Sequence, residues 1–468
     1  MAHAVNQKRI TDMTKGEPLS LILRFSLPLI LANTLQQVYS LVDTVILGKY
    51  AGTEGLAVLG ACGWPVWLCV SFLTNFSQAA SLILAKRFGA GSREELKQAA
   101  GTIYILAVIL GIGLTVVFFL TVRPLLLLLS VPEEVLEDGI RYLQISFAGI
   151  FLLLGYNLFS AFLRAVGDGK MPLRAIVVAT AVNVVLDIWF VACLGWGAPG
   201  AAAATVIAQG FSALVCYRGV RSQEIFRLNR SHWRIAAPVV REFFSLCIPM
   251  LLQSFVISAG GFFVQAHVNR YGVDFTAGVS ASGKVFGLLE TAAIALAQAV
   301  ATFVSQNYGA RQFGRIRSGL RRSVLLSVGS AVVFGLFMCG AGKPLLSLFV
   351  EGEALSYAWN FLLVMSVGML IMCPMYTLRQ ALQALGNARI PLVGAILQLA
   401  ARVGVTLILP VFFGRSGLYF TSTFAWLACL ILIAAVLPGW LDRCEKEAGP
   451  QAAVSYAAVS HEEEPSAD

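Results

Sequence analysis

Five full charges interrupt the long apolar runs of this chain away from their ends: Asp43, Asp187, Lys284, Glu290 and Arg402. A charge in the middle of a hydrocarbon-spanning helix costs about 2.5–3.5 kcal/mol on insertion scales, so each is a candidate for chemistry. Asp43 lies in LQQVYSLVDTVILG (35–48) and belongs to a stripe, Asn33, Gln36, Gln37, Ser40, Asp43 and Thr44, that recurs at helical spacing. A polar stripe on an otherwise Leu/Ile/Val helix faces protein or a water-filled cavity. Bonding between helices needs only amides and hydroxyls, so a carboxylate there does something more. Asp187 lies in VNVVLDIWF (182–190), with Asn183 four residues earlier on the same face. Two buried carboxyl groups close together titrate as a unit and share protons. The same pair, with Asn183 and threonine oxygens, would equally hold Na⁺, and the residue types leave both open. Lys284 and Glu290 are six apart, about 120° round a helix, and do not face each other. Arg402 is the expected partner of Glu290 across helices. These three serve structure, cavity polarity or ion coupling, and with Gln36, Gln37, Ser40 and Asn157 they make up the candidate substrate cavity.

These residues must be positioned by membrane helices. The 468 residues are 58% hydrophobic and 13% charged, with a mean hydropathy of +0.78. A soluble domain is about 45–50% apolar and roughly 25% charged, and a single soluble core stops growing near ~300 residues. Lipid is therefore the solvent. Twelve runs are long enough to span, at about 19–47, 56–84, 98–122, 137–163, 171–195, 199–219, 241–268, 276–306, 319–341, 354–382, 390–413 and 417–440. Lipid forces each backbone to bond within its own segment, which makes them helices; the ten-residue alternation of a barrel is absent. The expected fold is all-α, twelve transmembrane helices in two pseudo-symmetric six-helix bundles. Arm 1–18, bundle 19–219, basic linker 220–240, bundle 241–440 and disordered tail 441–468 follow one another.

Lys and Arg concentrate in the arm, the even-numbered loops and the tail, as in Lys86, Arg87, Arg93 and Lys97, or Arg311, Arg315, Arg317, Arg321 and Arg322. The odd loops hold little more than Lys49, Arg123, Arg270, Lys343 and Arg415. This alternation places both termini in the cytoplasm. It also accounts for the net charge of +9 without nucleic acid. The connector from Arg218 to Arg241 carries six arginines among Ile225, Phe226, Leu228 and Trp233, and reads as an amphipathic cytoplasmic segment. The nine cysteines form no CxxC pair and read as buried thiols; four histidines make a His-built metal site improbable. No GxxxxGK[ST] loop, Ser/His/Asp set or HExxH is present, so neither ATP-driven work nor enzyme catalysis is expected.

The chain repeats itself. Pro28 and Tyr50 recur as Pro249 and Tyr271, 221 residues on; FGAG (88–91) recurs as YGAR (308–311) and RPLL (123–126) as KPLL (343–346), 220 on. RAVGDGKMPL (164–173) recurs as QALGNARIPL (383–392), 219 on. Six spans per half, an even number, make this a parallel repeat about an axis along the membrane normal. The acids do not repeat: the equivalents of Asp43, Asp187 and Asn183 are approximately Val264, Thr406 and Arg402. An ion or proton site in the first bundle alone follows from that asymmetry.

Together, VDTVILG ending the first span, FGAG/YGAR, and the LRAVGDGKMPL and LQALGNARIPL loops resemble the multidrug and toxic compound extrusion (MATE) family, over about 19–440. The resemblance implies an antiporter that expels cationic or amphipathic organic compounds against a proton or Na⁺ gradient. It also implies a V-shaped pair of bundles opening alternately to each side. In the DinF-like branch the ion-responsive acids match Asp43 and Asp187, with Asn183, Tyr142 and Thr205 as partners. Some branches carry further acids in the seventh and tenth helices. Here Glu242 sits only at an entrance, and Glu290 in the eighth is the sole buried acid of the second half. The expected setting is a bacterial cell membrane, with the chain monomeric, no resident cofactor, and H⁺ or Na⁺ as the coupling ion. The alternative within the superfamily is a flippase for lipid-linked precursors, whose cavities carry many basic residues; here only Lys284 and Arg402 are buried in the spans. A passive channel accounts less well for a two-fold repeat with buried acids.

Overall fold

The apolar runs are helical throughout. The computed structural model describes residues 10–129 and 131–449, among which there is no strand. The helices are α1 (Pro18–Tyr50), α2 (Gly52–Gly89), α3 (Arg93–Leu128), α4 (Glu133–Ala148), α5 (Ile150–Ala165), α6 (Lys170–Asp187), α7 (Gly197–Arg221), α8 (Ala237–Val268), α9 (Val273–Gly309), α10 (Phe313–Leu346), α11 (Gly352–Ala384), α12 (Arg389–Phe413) and α13 (Thr421–Ala448). Helices α4 and α5 meet at 43° and make one bent span. The apolar stretch Arg389–Ala448 is two helices, α12 and α13, joined by a 3-10 segment at Gly414–Phe420. The count is thus the expected twelve.

Two local expectations need correction. The span expected at 137–163 breaks at Gly149, where a Cβ would lie 2.5 Å from Val206 of α7. Apolar content alone does not register such a close approach. The tail expected from 441 begins as helix, because α13 continues to Ala448. Its polar end is tied down by Arg317, which bridges Asp442 at 2.5 Å and Glu445 at 2.6 Å. Residues 450–468 of that tail and 1–9 of the arm lie outside the described residues. The basic linker contains no long helix. Two short 3-10 turns, Glu224–Phe226 and Arg230–His232, connect α7 to α8. They are pinned by His232, whose Nε2 lies 2.9 Å from Glu94, while Trp233 and Ile235 stay exposed.

The chain divides into two compact units. One contains Leu31–Phe88 and Ser92–Phe244; the other contains Asp12–Ile30, Gly89–Gly91 and the chain from Ser245. These divisions differ from the bundle limits at 219 and 241, since each unit includes the start of the other half's first helix. In the first unit Glu242 of α8 accepts from Lys86 at 3.1 Å and Arg87 at 2.7 Å, at the end of α2. In the second, the N–H of Met13 donates to Gln306 Oε1 (2.8 Å), and its carbonyl accepts from Asn307 Nδ2 (3.1 Å) and Arg315 Nη2 (3.3 Å). Gln306 and Asn307 are the repeat equivalents of Lys86 and Arg87, so one anchoring position is built from charges in one half and amides in the other.

The repeat holds at the level of single side chains. Asp168 Oδ1 accepts from the N–H groups of Lys170 and Met171, both at 3.1 Å. Asn387 Oδ1 accepts from Arg389 and Ile390, again both at 3.1 Å. Each caps the first turn of a span, α6 or α12. Along α3 and α10 the buried positions Leu96, Ala99, Ala100, Ile103, Ala107, Gly111, Phe118, Val122 and Leu126 all recur buried 220 residues on. The one non-glycine with positive φ among the described residues, Arg311 at 57°, stands where the first half has Gly91 at 70°.

Candidate ion site in the first unit

Four helices of the first unit bring the sequence-derived residues together. α1 supplies Asp43, α4 Tyr142, α6 Asn183 and Asp187, and α7 Thr205. Asn183 and Asp187 are both 0% exposed, stacked one turn apart as their spacing requires, while Asp43 is half-buried. The Asp43 carboxyl faces Asp187 and Asn183, and Thr205 Oγ1 donates to its Oδ2 at 3.5 Å. Tyr142 lies within the field of both acids. Asp187 is the last residue of α6; the next turn, Ile188–Cys193, is a π-helix. Such wide turns are frequent at functional positions. Stacking of Phe190 between Trp189 (5.3 Å) and Trp196 (5.0 Å) holds it.

What distinguishes the site is unmet hydrogen-bonding capacity. Asp43 Oδ1, both carboxyl oxygens of Asp187 and both amide atoms of Asn183 are buried without a partner. Buried polar atoms are paired in the great majority of cases, so each exception asks for an explanation. Two carboxyl groups with open oxygens suit either shared protons or a hard cation with oxygen ligands from Asp43, Asn183 and Asp187.

Tyr39 is a site residue the sequence reading missed. It lies close enough to Asp43, Asp187, Tyr142 and Thr205 to share their electrostatic surroundings. The signal was its spacing, four residues before Asp43, which puts both on one side of α1.

The remaining candidates do not gather there. Gln36, Gln37 and Ser40 are exposed along α1. Asn157 turns back to the Leu153 carbonyl at 2.9 Å. Lys284 is exposed, 5.5 Å from the Phe349 ring centroid. The expected ion pair between Glu290 and Arg402 does not form. Glu290 accepts from the Tyr376 phenol at 2.6 Å, and Arg402 Nη1 donates to the Ile257 carbonyl at 3.0 Å. A backbone carbonyl and a phenol, neither visible to charge counting, stand where the ion pair was expected. Among the cysteines, Cys193 and Cys339 are exposed rather than buried.

The fold and the site define an internally repeated, multi-span helical membrane protein with a polar centre inside its first unit. The MatE family model matches the chain twice, over residues 28–189 and 249–408, so the chain belongs to the MatE family. Both matches begin at the repeated prolines. A relative from Bacillus subtilis (strain 168), "Probable multidrug resistance protein YpnP", is 29% identical over 355 residues, 75% of this chain and 79% of that protein. "Multidrug export protein MepA" of Staphylococcus aureus (strain NCTC 8325 / PS 47) is 22% identical over 433 residues, 90% of this chain and 93% of that one. Among solved structures, one described as "MATE in complex with MaL6" superposes with a TM-score of 0.88 at 20% identity, over 93% of this chain and 99% of that one. That likeness carries the fold.

Proposed function

We propose that this protein is a secondary active multidrug efflux antiporter. It exports cationic or amphipathic organic compounds in exchange for H⁺ or Na⁺ by alternating access, from a cell membrane with both termini cytoplasmic. The observation that carries the reading is the pair Asp43 and Asp187, whose open carboxyl oxygens lie inside one half of a repeated MatE chain. The names of the relatives support the substrate class. One charge crossing 100 mV releases about 2.3 kcal/mol, roughly a fifty-fold gradient per exchanged ion.

In this mechanism the empty, doubly ionised site is the unstable form. A proton or Na⁺ neutralises it and lets α1 and α6 pack together; loss of the ion separates the acids and favours the other state. Thr205 and Tyr142 orient Asp43, and Asn183 supplies a neutral oxygen beside Asp187. The π-helical turn after Asp187 gives α6 a segment that can change register. The flippase alternative gains little support, because Lys284 is exposed and Arg402 is held by a backbone carbonyl.

The test is substrate counterflow in proteoliposomes with ΔpH and ΔNa⁺ imposed separately, on wild type, Asp43→Asn and Asp187→Asn. One gradient is expected to drive wild-type transport, and each variant to lose gradient coupling. Normal coupled transport in both variants would sink the reading.

A further inference from the structure

Between α7 and α8 the chain concentrates positive charge that no acid answers. Residues 218–241 hold Arg218, Arg221, Arg227, Arg230, Arg234 and Arg241 against the single acid Glu224. All six arginines are exposed, and among the described residues none forms an ion pair. Other basic residues that the charge pattern puts on the same face do meet acids: Arg87 meets Glu242, Arg317 meets Asp442 and Glu445, and Arg322 meets Glu17. The last pair marks a difference between the halves. The arm docks on α10 partly through Glu17, whereas the linker, its repeat counterpart, docks on α3 without using an arginine side chain.

Backbone contacts fix that docking. Thr102 Oγ1 of α3 lies 3.0 Å from the Arg234 carbonyl oxygen and accepts from the Ala236 N–H at 3.2 Å. Gly101 lets the chains come close: a Cβ there would lie 2.0 Å from the His232 carbonyl oxygen. Phe226 packs against Phe162 with ring centroids 5.2 Å apart. The same contacts set the depth of the linker. Trp233 stacks on Tyr104 at 5.7 Å. Thr102 and Tyr104 fall inside the apolar run that begins at 98, beyond the charged turn of Arg93, Glu94, Glu95 and Lys97. Trp233 and Ile235, 52% and 59% exposed, therefore stand where hydrocarbon gives way to headgroups, with Arg234 between them in sequence. One and two turns deeper, exposed Val108 and Ile112 continue the apolar surface along α3. Tryptophan favours that level of a bilayer, and a guanidinium beside it offers paired N–H donors to phosphate oxygens.

We infer that this linker is a docking surface for anionic phospholipid. Trp233 and Ile235 enter the boundary between headgroups and acyl chains, and Arg230 and Arg234 bind the headgroup phosphates. A dissolved phosphate would match the arginines but leave the two apolar side chains in water; a bilayer takes both. This docking depends on where α3 enters the bilayer, and not on the exported compound or its coupling ion.

The experiment attaches an environment-sensitive dye at Ser231→Cys in a cysteine-free full-length chain. The protein is reconstituted in nanodiscs of phosphatidylcholine with a rising share of phosphatidylglycerol. A saturating dye response to phosphatidylglycerol is expected. Arg230→Gln and Arg234→Gln should each weaken it about fivefold, and Trp233→Ser should weaken it too. Arg443→Gln removes the same charge from a guanidinium already bonded to Glu447, and should leave the response unchanged. If Arg443→Gln weakens it as much as Arg234→Gln, net charge alone is responsible and the docking surface falls. If inorganic phosphate added to pure phosphatidylcholine discs gives the same response, a free anion fills the arginines and the lipid assignment falls. Native mass spectrometry of the unmodified protein released from mixed discs needs no variant. Phosphatidylglycerol retained over phosphatidylcholine is expected, and equal retention overturns the proposal. Nanodiscs open both faces of the protein, so an inverted topology would leave these outcomes as they are.

Discussion

At the scale of single residues, the informative quantity is what each buried polar atom lacks. Asp43 Oδ1 and both carboxyl oxygens of Asp187 are buried without a hydrogen-bond partner, the capacity that the proposed proton or Na⁺ would meet. Thr205 donates to Asp43 across 162 positions of chain, a contact that no spacing rule reports. Thr205→Val should weaken ion binding about tenfold by removing one bond to a charged group, read as a shift in the driving-ion concentration for half-maximal counterflow. Tyr39→Phe should act in the same direction, whereas Ser40→Ala, one residue on but exposed, should leave the ion dependence alone. In the proposed mechanism Asp43 and Asp187 act as one unit, so the double Asn variant should lose no more coupling than either single one. Additive losses would show two independent groups. The polar stripe on α1 and the Asn183/Asp187 spacing were legible in the sequence because helical periodicity projects directly onto a face. Tyr39 was passed over because aromatics in apolar spans are so often packing.

At the scale of elements, the caps and turns carry the repeat. Asp168 and Asn387 each satisfy two free N–H groups at the start of a span. Asp168→Ala and Asn387→Ala should each cost about 1 kcal/mol, and the double variant about the sum, since the two caps lie in different units. Denaturation of the purified protein in mixed micelles measures this, and a strongly non-additive result would mean the caps are coupled. Arg311 holds a left-handed conformation that an L side chain enters at a cost of about 1–2 kcal/mol. Its Nη1 donates to the Ala448 carbonyl at 3.1 Å. Arg311→Gly should therefore raise stability only if relief of the backbone outweighs that bond, and its midpoint relative to Arg311→Ala isolates the backbone contribution. The YGAR/FGAG correspondence exposed this position; the conformation itself appeared only in the structure.

At the scale of the whole molecule, the distribution of Lys and Arg and the twelve spans together set the proposed topology. Cysteines placed at Ser231, between α7 and α8, and at Val273, at the start of α9, both lie at exposed positions. In a cysteine-free background, an impermeant maleimide applied to intact cells should label Val273→Cys and spare Ser231→Cys until the membrane is opened. The reverse pattern would invert the orientation.

The sequence by itself determined that lipid is the solvent, how many helices cross it, and that two halves repeat at a near-constant offset. All of these follow from the local rule that buried backbone must bond within its own segment, and from periodicity that any stretch displays alone. It also marked Asp43 and Asp187, because a charge in an apolar run is conspicuous in one dimension. Only the tertiary structure decided the other meetings: Tyr39 beside Asp43, Tyr376 rather than Arg402 on Glu290, and a backbone carbonyl on Arg402. Those pairings depend on which of several competent donors lies nearest in space once helices pack, and distance in space is not a property of spacing along the chain.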